Sequence, residues 1–238
     1  QWGNPFGTMN MDVLGVPWGA RSTRDGIDVA GYVYSPRGPL PNVEQNEQDY
    51  PMLYMYRYGA TDYGGAGENR GGVSMQTAWK PHNTQDIETV VAGSGGVKPN
   101  TSPMAGYPGA PGSLRMVENA DFDSHIDAQE IPTSLDDFEP DFDEYHTKTE
   151  FTQTEPDVVE TRSPGAGGYG DPLERDPDRV ADDVVEGKIT PETAREVYCV
   201  PVDDTGTITG SVEDAREQRY RDRLERATVP DETPSPAE

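Results

Sequence analysis

The sequence predicts an α+β fold that is mainly β, with extensive coil and polyproline-II segments and with short helices near the C-terminus. Three observations predict this class. Gly (26) and Pro (22) make up about a fifth of the 238 residues, more than an ordinary domain carries. Short apolar runs in the first half are rich in aromatic and β-branched residues, which favour strands. Helix caps followed by apolar residues at helical spacing occur late in the chain, after residue 175.

Residues 1–117 form the first predicted region, which is β-rich, glycine-rich and aromatic. Three runs bounded by turn-forming residues are predicted strands: residues 50–58, 71–79 and 87–93. The proline-bearing connections at residues 35–41 and 102–112 are typical of polyproline II or turns. No long helical period is present, so we expect no long helix here.

Residues 118–160 form an acidic second region. It carries 15 acidic residues against the single base Lys148, a net charge of −14. Aromatic residues and prolines interleave with the acids, and no hydrophobic period is sustained. We therefore expect a solvated and partly disordered insertion. A catalytic carboxylate pair is the alternative, but at this density some acids lie close together by chance.

Residues 161–203 are predicted to form a glycine turn followed by a helical hairpin. Asp176 and Pro177 begin the first helix, and Gly187 ends it. Its expected buried face comprises Val180, Val184 and Val185. Thr190 caps the second helix, whose inward-facing residues are expected to be Ala194 and Val197.

Residues 204–238 form the last predicted region, a charged helix followed by a tail. Residues 200–210 before the helix resemble a small two-stranded turn. Ser211 is the expected cap of the helix, which is charged on most of its surface. We expect residues 228–238 to be disordered.

The net charge of −25 restricts the possible partners. Since 44 acidic residues face 19 basic ones, nucleic acids and anionic membranes would be repelled, and neither is an expected partner. No apolar run approaches membrane-spanning length. The one cysteine, Cys199, excludes an intramolecular disulfide, which favours a cytoplasmic protein. We interpret Cys199 as a buried apolar residue rather than a nucleophile.

The acidity has two explanations, namely a disordered acidic tail or adaptation to concentrated salt. Only four lysines are present and the acids are spread along the whole chain, which favours a halophilic protein. Salt screens repulsion between surface carboxylates. We therefore expect the unfolding temperature, followed by circular dichroism, to rise from millimolar to molar salt. Equal stability in both would contradict this interpretation.

Residues 165–170 read GAGGYG and match the G-x-G-x-x-G spacing of a dinucleotide-binding loop. A short strand is predicted before them, but Pro164 interrupts it, and Asp171 begins a turn where the fingerprint needs a helix. We therefore interpret the glycines as a structural turn and expect Asp171 and Arg175 to brace it with a charge-assisted hydrogen bond. The candidate residues of this motif are Gly167, Gly168, Gly170, Asp171, Arg175 and Asp176.

A second glycine cluster occupies residues 62–72. Its glycines permit close backbone approach, and Arg70 is the fixed cation among them. Either Arg70 recognises an anion or it braces a turn, and the second interpretation is favoured. A third cluster, residues 92–99, lacks the G-K-[ST] end of a phosphate-binding loop. The candidate residues of the second cluster are Gly64, Gly65, Gly67, Arg70, Gly71 and Gly72.

The sequence assigns neither a catalytic residue nor a metal site to this chain. The three histidines are His82, His125 and His146, and none is spaced from a second His or Cys as metal ligands are. We therefore expect no metal and no cofactor bound by this chain.

Three segments, taken in order, resemble the hydantoinase B/5-oxoprolinase B family. Residues 24–32 (RDGIDVAGY) are similar to its D-G segment. Residues 50–72 resemble its tyrosine-proline strand and its S-G-G-x-G-x-x-R-G-G turn. Residues 157–200 resemble its closing segment, in which a glycine run leads into G-D-P-x-x-R-D-P and two short helices. Cys199 stands where that family usually has glycine.

The resemblance implies a part of a large ATP-dependent enzyme. Members hydrolyse cyclic amides such as hydantoins and 5-oxoproline, or carboxylate ketones such as acetone and acetophenone. ATP and a divalent metal are then expected in the assembled enzyme, with ATP on an A-type partner subunit. B-type polypeptides are normally more than twice this length, so we expect this chain to be the C-terminal portion of one.

The resemblance leaves three hypotheses open. The first is a hetero-oligomeric cyclic amide hydrolase, in which the partners are the A-type subunit and the N-terminal half of the B-type subunit. The second is a ketone carboxylase, which the wording of residues 41–57 favours. The third is a non-catalytic assembly subunit.

Overall fold

The computed structural model describes residues 7–8, 15–31, 40, 42–92, 105–138, 143–145 and 148–227. Its strands are β1 (Met52–Gly59), β2 (Met75–Pro81), β3 (Asp86–Ala92), β4 (Ser113–Val117), β5 (Asp143–Tyr145), β6 (Lys148–Thr154) and β7 (Val158–Arg162). Its helices are α1 (Val43–Asp49), α2 (Phe122–Asp127), α3 (Pro177–Val185), α4 (Pro191–Glu196) and α5 (Val212–Arg226). The predicted α+β class is confirmed.

Several predictions concern residues outside this description. They are the polyproline-II assignment at residues 35–41, apart from Leu40, the third glycine cluster beyond Ala92, His146 and the tail at residues 228–238. Within the described part, no helix is both long enough and apolar enough to cross a lipid bilayer.

The described strands form two antiparallel sheets. Five strands lie in the order β1-β2-β7-β4-β5, and β3 pairs with β6 in a separate ribbon. The three predicted strands of the first region correspond to β1, β2 and β3. The short strand predicted before the glycine turn is β7, which lies between β2 and β4 at the centre of the larger sheet.

Each face of the larger sheet is covered by a different part of the chain. The β3–β6 ribbon covers one face, where Trp79 and Val159 pack with Ile87 and Phe151. Residues 120–138 cover the other face, where a second apolar cluster comprises Ala78, Val117, Ala120, Leu135 and Val158. Adjacent residues of β2 and β7 therefore enter different cores, because successive side chains of a strand point to opposite faces.

The structure differs from the expected solvated insertion at residues 118–160. The end of this stretch forms β6 and the start of β7, and Val158 and Glu160 have no exposed surface. In β6 the exposed residues alternate with Phe151 and Gln153, which face the core or the partner strand. The acids on the solvent side dominate the composition and hide this alternation.

The capping pattern of the C-terminal helices is confirmed. The Asp176 carboxylate accepts from the amide of Asp178 at 2.8 Å, and Gly187 after α3 has φ = 69°. Thr190 and Ser211 cap α4 and α5 in the same way. The predicted turn at residues 200–210 is present as a bridge between Val202 and Ile208.

The prediction that Val185 belongs to the buried face of α3 is wrong. Val180 and Val184 are buried, but Val185 is 63% exposed. Successive residues of a helix are rotated by about 100°, which puts Asp183 nearer to Val180 around the axis than Val185 is. Asp183 is accordingly buried in the place expected for a valine.

Candidate functional site

Three extended segments, residues 63–72, 105–112 and 163–170, pack side by side, and we call them the glycine bundle. Ala110 and Tyr107 donate main-chain hydrogen bonds to Tyr63 and Ala66 at 2.9 and 2.7 Å. Gly165 and Gly168 donate in turn to Ala110 and Tyr107 at 2.9 and 3.0 Å. The contacts repeat every third residue, which is the period of the polyproline-II helix. The two glycine motifs of the sequence thus meet in one structure.

The bundle needs glycine because its backbones approach closely. A Cβ atom at Gly65 would lie 2.8 Å from the amide nitrogen of Gly168, and one at Gly67 would lie 2.6 Å from that of Tyr169. Among the described bundle residues, Gly170 is the one glycine with a positive φ, 77°. Equally tight approaches to main-chain atoms are found at Gly64, Gly71, Gly72, Gly106, Gly109, Gly165 and Gly168.

Four of the six amides of the G-x-G-x-x-G stretch are engaged within the bundle. Phosphate binding at a glycine loop needs free main-chain N–H groups that converge on the anion. The amides of Gly165, Ala166, Gly168 and Tyr169 instead donate to the carbonyls of Ala110, Gly72, Tyr107 and Asn69. The carbonyl of Gly167 accepts from Ala20 at 3.0 Å. These contacts favour the interpretation as a structural turn.

Beside the bundle lies a buried group of charges that we call the arginine cluster: Arg70, Arg175, Asp25, Asp28 and Asp183. Both arginines are 1% exposed. Arg175 grips both oxygens of Asp25, at 2.7 and 2.8 Å, and donates to Asp183 at 2.7 Å. Paired charges of this kind are tolerated in the interior because each is hydrogen-bonded to the other.

Arg70 is the second cation of the cluster. Its guanidinium donates to Asp28 at 3.1 Å and to Asp183 at 3.3 Å, and its amide donates to Asp25 at 2.6 Å. Asp183 therefore joins both arginines, and the cluster ties the D-G segment, the second glycine cluster and α3 together. Of the two interpretations of Arg70, these contacts favour the brace.

The prediction of a hydrogen bond between Asp171 and Arg175 is wrong. Asp171 accepts from the amide of Leu173 at 3.0 Å, which caps a 3₁₀ turn at residues 172–174, and it pairs with Arg223 of α5 at 2.5 Å. That turn directs the side chain of Arg175 away from Asp171 and into the arginine cluster.

The cluster shifts the acidity of Asp25. Partial burial alone would raise the pKa of its carboxyl, but Arg175, the amide of Arg70 and the charge of Arg179 outweigh burial. They lower the pKa from the ordinary 3.8 to about 2. A carboxyl whose pKa is depressed by folding stabilises the fold above its unfolded pKa, and this contribution is lost as the pH falls toward the folded value.

We expect Asp25→Asn to flatten the acid side of the stability profile. Between about pH 5 and pH 2, the original chain should lose about 1 to 2 kcal/mol more of its free energy of unfolding than the variant does. Urea unfolding at several pH values measures both profiles. Parallel losses in the two proteins would show that Asp25 contributes no such linkage.

A second polar group surrounds Glu160 at the centre of the larger sheet. Tyr56, Gln76 and Arg115 donate to its carboxylate at 2.7, 2.5 and 2.9 Å. Arg162 forms an ion pair with it at 2.9 Å. Burial and the negative charge of Glu160 raise the pKa of Tyr56. The carboxylate thereby links β1, β2, β4 and β7 and keeps the phenol protonated.

The other candidate residues do not assemble into a metal or nucleophile site. Within the described residues, no group of three His, Cys, Asp or Glu side chains is arranged to hold a metal ion. The ring of His125 packs edge-on against Phe138 at 5.2 Å. Cys199 is buried with φ = 54°, a left-handed conformation that suits the glycine usual at this position in the family it resembles.

Two shallow clefts lie between the glycine bundle and α5. They have volumes of about 290 and 220 Å³, and Tyr107 and Arg223 line both. Neither is lined by a residue of the arginine cluster or of the group around Glu160. The contacts of both polar groups join segments of the chain, and the described side chains that carry charge there are engaged with one another.

Reasoning from the sequence missed the acids of the arginine cluster as individual sites. The rotation of about 100° per residue, applied to α3, would have predicted that Asp183 is buried, because it puts this acid on the same face as Val180. Asp25 and Asp28 carry no comparable local pattern. They lie 45 and 42 residues from the amide and side chain of Arg70 that they bind.

Comparison with known proteins gives consistent matches. The family described as Hydantoinase B/oxoprolinase matches residues 3–172. The acetophenone carboxylase delta subunit of Aromatoleum aromaticum is 28% identical, over 92% of this chain and 35% of that protein. The caprolactamase subunit beta of Pseudomonas jessenii is 33% identical, over 70% of this chain and 26% of that protein.

A solved structure matches as well. Nucleotide-free acetone carboxylase superposes with a TM-score of 0.78 and 26% identity, over 91% of this chain and 31% of that one. The chain thus spans about a third of the length of the relatives that it matches.

Proposed function

The chain belongs to the hydantoinase B/oxoprolinase family, and on this premise we propose that it is the C-terminal part of a B-type subunit in an ATP-dependent ketone carboxylase. The observation that carries the proposal is the share of this chain that each relative matches. The match to the acetophenone carboxylase subunit includes 92% of this chain, whereas the match to caprolactamase includes 70%. The superposition on acetone carboxylase, at a TM-score of 0.78, also supports this branch.

In this proposal the chain supplies a rigid platform and other polypeptide supplies the reacting groups. The glycine bundle and the arginine cluster fix described segments between Asp25 and Asp183 against one another. Their charged groups pair with each other, so they offer little to a substrate. ATP and a divalent metal would then act in the remainder of the enzyme, on an A-type subunit and on the part of the B-type subunit that the relatives have in addition. The ATP dependence and the single cysteine support a cytoplasmic location.

A cyclic amide hydrolase is the second candidate function. The specific observation in its favour is the 33% identity to the caprolactamase subunit beta, the highest identity among the three relatives described above. Hydantoins, 5-oxoproline and lactams share a ring amide, so one assay panel covers this class. The carboxylase would in addition require bicarbonate.

The test is co-expression of the chain with the products of its neighbouring genes, followed by an ATPase assay of the purified complex. We expect ATP hydrolysis to depend on a ketone and bicarbonate together. Dependence on a hydantoin or lactam without bicarbonate would replace the carboxylase by the amide hydrolase. ATP turnover that is unchanged when this chain is omitted would reject both and leave an assembly role. The isolated chain is expected to be inactive.

A further inference from the structure

A short hairpin at residues 18–27 is anchored firmly at its base. The amide of Trp18 donates to the carbonyl of Ile27 at 2.9 Å, and the carbonyl of Trp18 accepts from the amide of Gly72 at 3.1 Å. Gly26 donates to the carbonyl of Arg70 at 2.8 Å. The hairpin therefore stands on the glycine bundle and the arginine cluster, and its tip is held in a fixed direction.

The tip, residues 21–24, presents two arginines to solvent. Arg21 and Arg24 face each other across the hairpin, joined by main-chain hydrogen bonds of 2.9 and 3.4 Å, and all four tip residues are exposed. Neither guanidinium has a hydrogen bond or an ion pair anywhere in the described part of the chain. Like charges directly opposite each other destabilise a strand pair. The two opposed arginines therefore lower the stability of the isolated chain.

This arrangement is unusual for the molecule. The chain has 44 acidic residues, and arginines such as Arg70, Arg115, Arg175 and Arg223 each bind a carboxylate. Arg179, which pairs with Asp25 at 2.7 Å and is 42% exposed, adds a third arginine beside the hairpin. A positive tip thus projects from a strongly negative protein.

The chemistry of the tip selects the kind of partner. A polynucleotide is disfavoured by the net charge of −25. A small phosphate is best held where main-chain amides converge, but the amides of Arg21 and Arg24 each donate to the carbonyl of the other residue. Two exposed guanidinium groups on a hairpin whose main chain is anchored fit carboxylates, which arginine binds in a two-pronged manner.

We propose that the hairpin tip at residues 21–24 docks onto an Asp- and Glu-rich surface of another polypeptide in the assembled enzyme. The inference rests on the proposed function, because it takes the partner from that assembly. Its rigid base lowers the entropy lost on docking. Complementary charge sets the orientation of the two proteins and speeds their encounter.

The test is a binding measurement between the full chain and the co-expressed products of its neighbouring genes, at several salt concentrations. The test variant is Arg21→Glu/Arg24→Glu. The matched control is Arg195→Glu/Arg221→Glu, which changes the net charge by the same amount on exposed faces of α4 and α5. The unfolding temperature of each isolated variant verifies the fold, since the tip arginines have no partner among the described residues to lose.

We expect the hairpin variant to bind at least about tenfold more weakly at low salt, with the difference shrinking as salt rises, and the control to bind like the original chain. Equal binding by both variants would overturn the docking proposal while leaving the proposed function intact. If the original chain itself binds none of the neighbouring products, both proposals are overturned.

Discussion

Arg175→Ala is expected to lower the free energy of unfolding by about 3 to 5 kcal/mol. The substitution leaves Asp183, which is 4% exposed, and Asp25 without the guanidinium that joins them. Within the described residues, the carboxylate of Asp183 then keeps only the 3.3 Å contact with Arg70, and a buried carboxylate that loses an ion-pair partner costs more than the pair itself contributes. Urea unfolding of the purified chain measures the change, and the affinity of the assembled enzyme for ATP should be unaltered.

Two matched variants make this result interpretable. Arg221→Ala removes an exposed i, i+4 pair with Glu217 and should change stability by about 0.5 kcal/mol or less. Arg175→Lys keeps the charge but not the two-pronged grip on Asp25, so its loss should fall between the other two. A loss for Arg175→Ala no larger than for Arg221→Ala would refute the structural role. A selective loss of ATP binding would revive a nucleotide role for this segment.

Gly165→Ala is the second substitution with a large expected effect. The added methyl group would overlap the carbonyl of Tyr63, and main-chain atoms of a neighbouring segment cannot rotate away as a side chain can. We expect a loss of about 3 kcal/mol, the upper end of the usual cost of overpacking, because the overlapping atoms belong to the main chain. Since whole domains are stable by only about 5 to 15 kcal/mol, much of the chain should be recovered in the insoluble fraction.

Gly19→Ala is the control for this prediction. Its methyl group would lie 3.7 Å from the carbonyl oxygen of Gly167, an ordinary contact, and Gly19 has no positive φ. Circular dichroism and the yield of soluble protein should be close to those of the original chain. Similar behaviour of the two variants would mean that the bundle tolerates a side chain at Gly165.

Local features of this fold were predictable from the sequence, whereas distant pairings were not. The caps at Asp176, Thr190 and Ser211 act within a few residues, so the helix starts could be predicted. The positions of Gly165 and Gly168 identified a tight backbone, but not the segment that packs against it. The acidic composition around β6 hid a strand, because composition does not record which side of a strand each acid occupies.

The candidate site shows the same division. Arg70 was identified as a fixed cation in a glycine turn, yet the acids that bind it belong to segments far along the chain. Arg175 was assigned to Asp171, four residues away, whereas it binds Asp25 at a separation of 150 residues. A carboxylate was expected correctly as the kind of partner, but a sequence with 44 acids offers no means of choosing among them.

That separation has a consequence for how the protein is made. Ribosomes add about 5 to 20 residues per second, so about 8 to 30 s pass between the synthesis of Asp25 and that of Arg175, which lie 150 residues apart. During this interval Asp25 lacks the guanidinium of Arg175, and for most of it the glycine bundle lacks its third segment, residues 163–170. Nascent chains arrested before residue 183 should therefore remain sensitive to protease, and resistance should appear abruptly once α3 has left the ribosome.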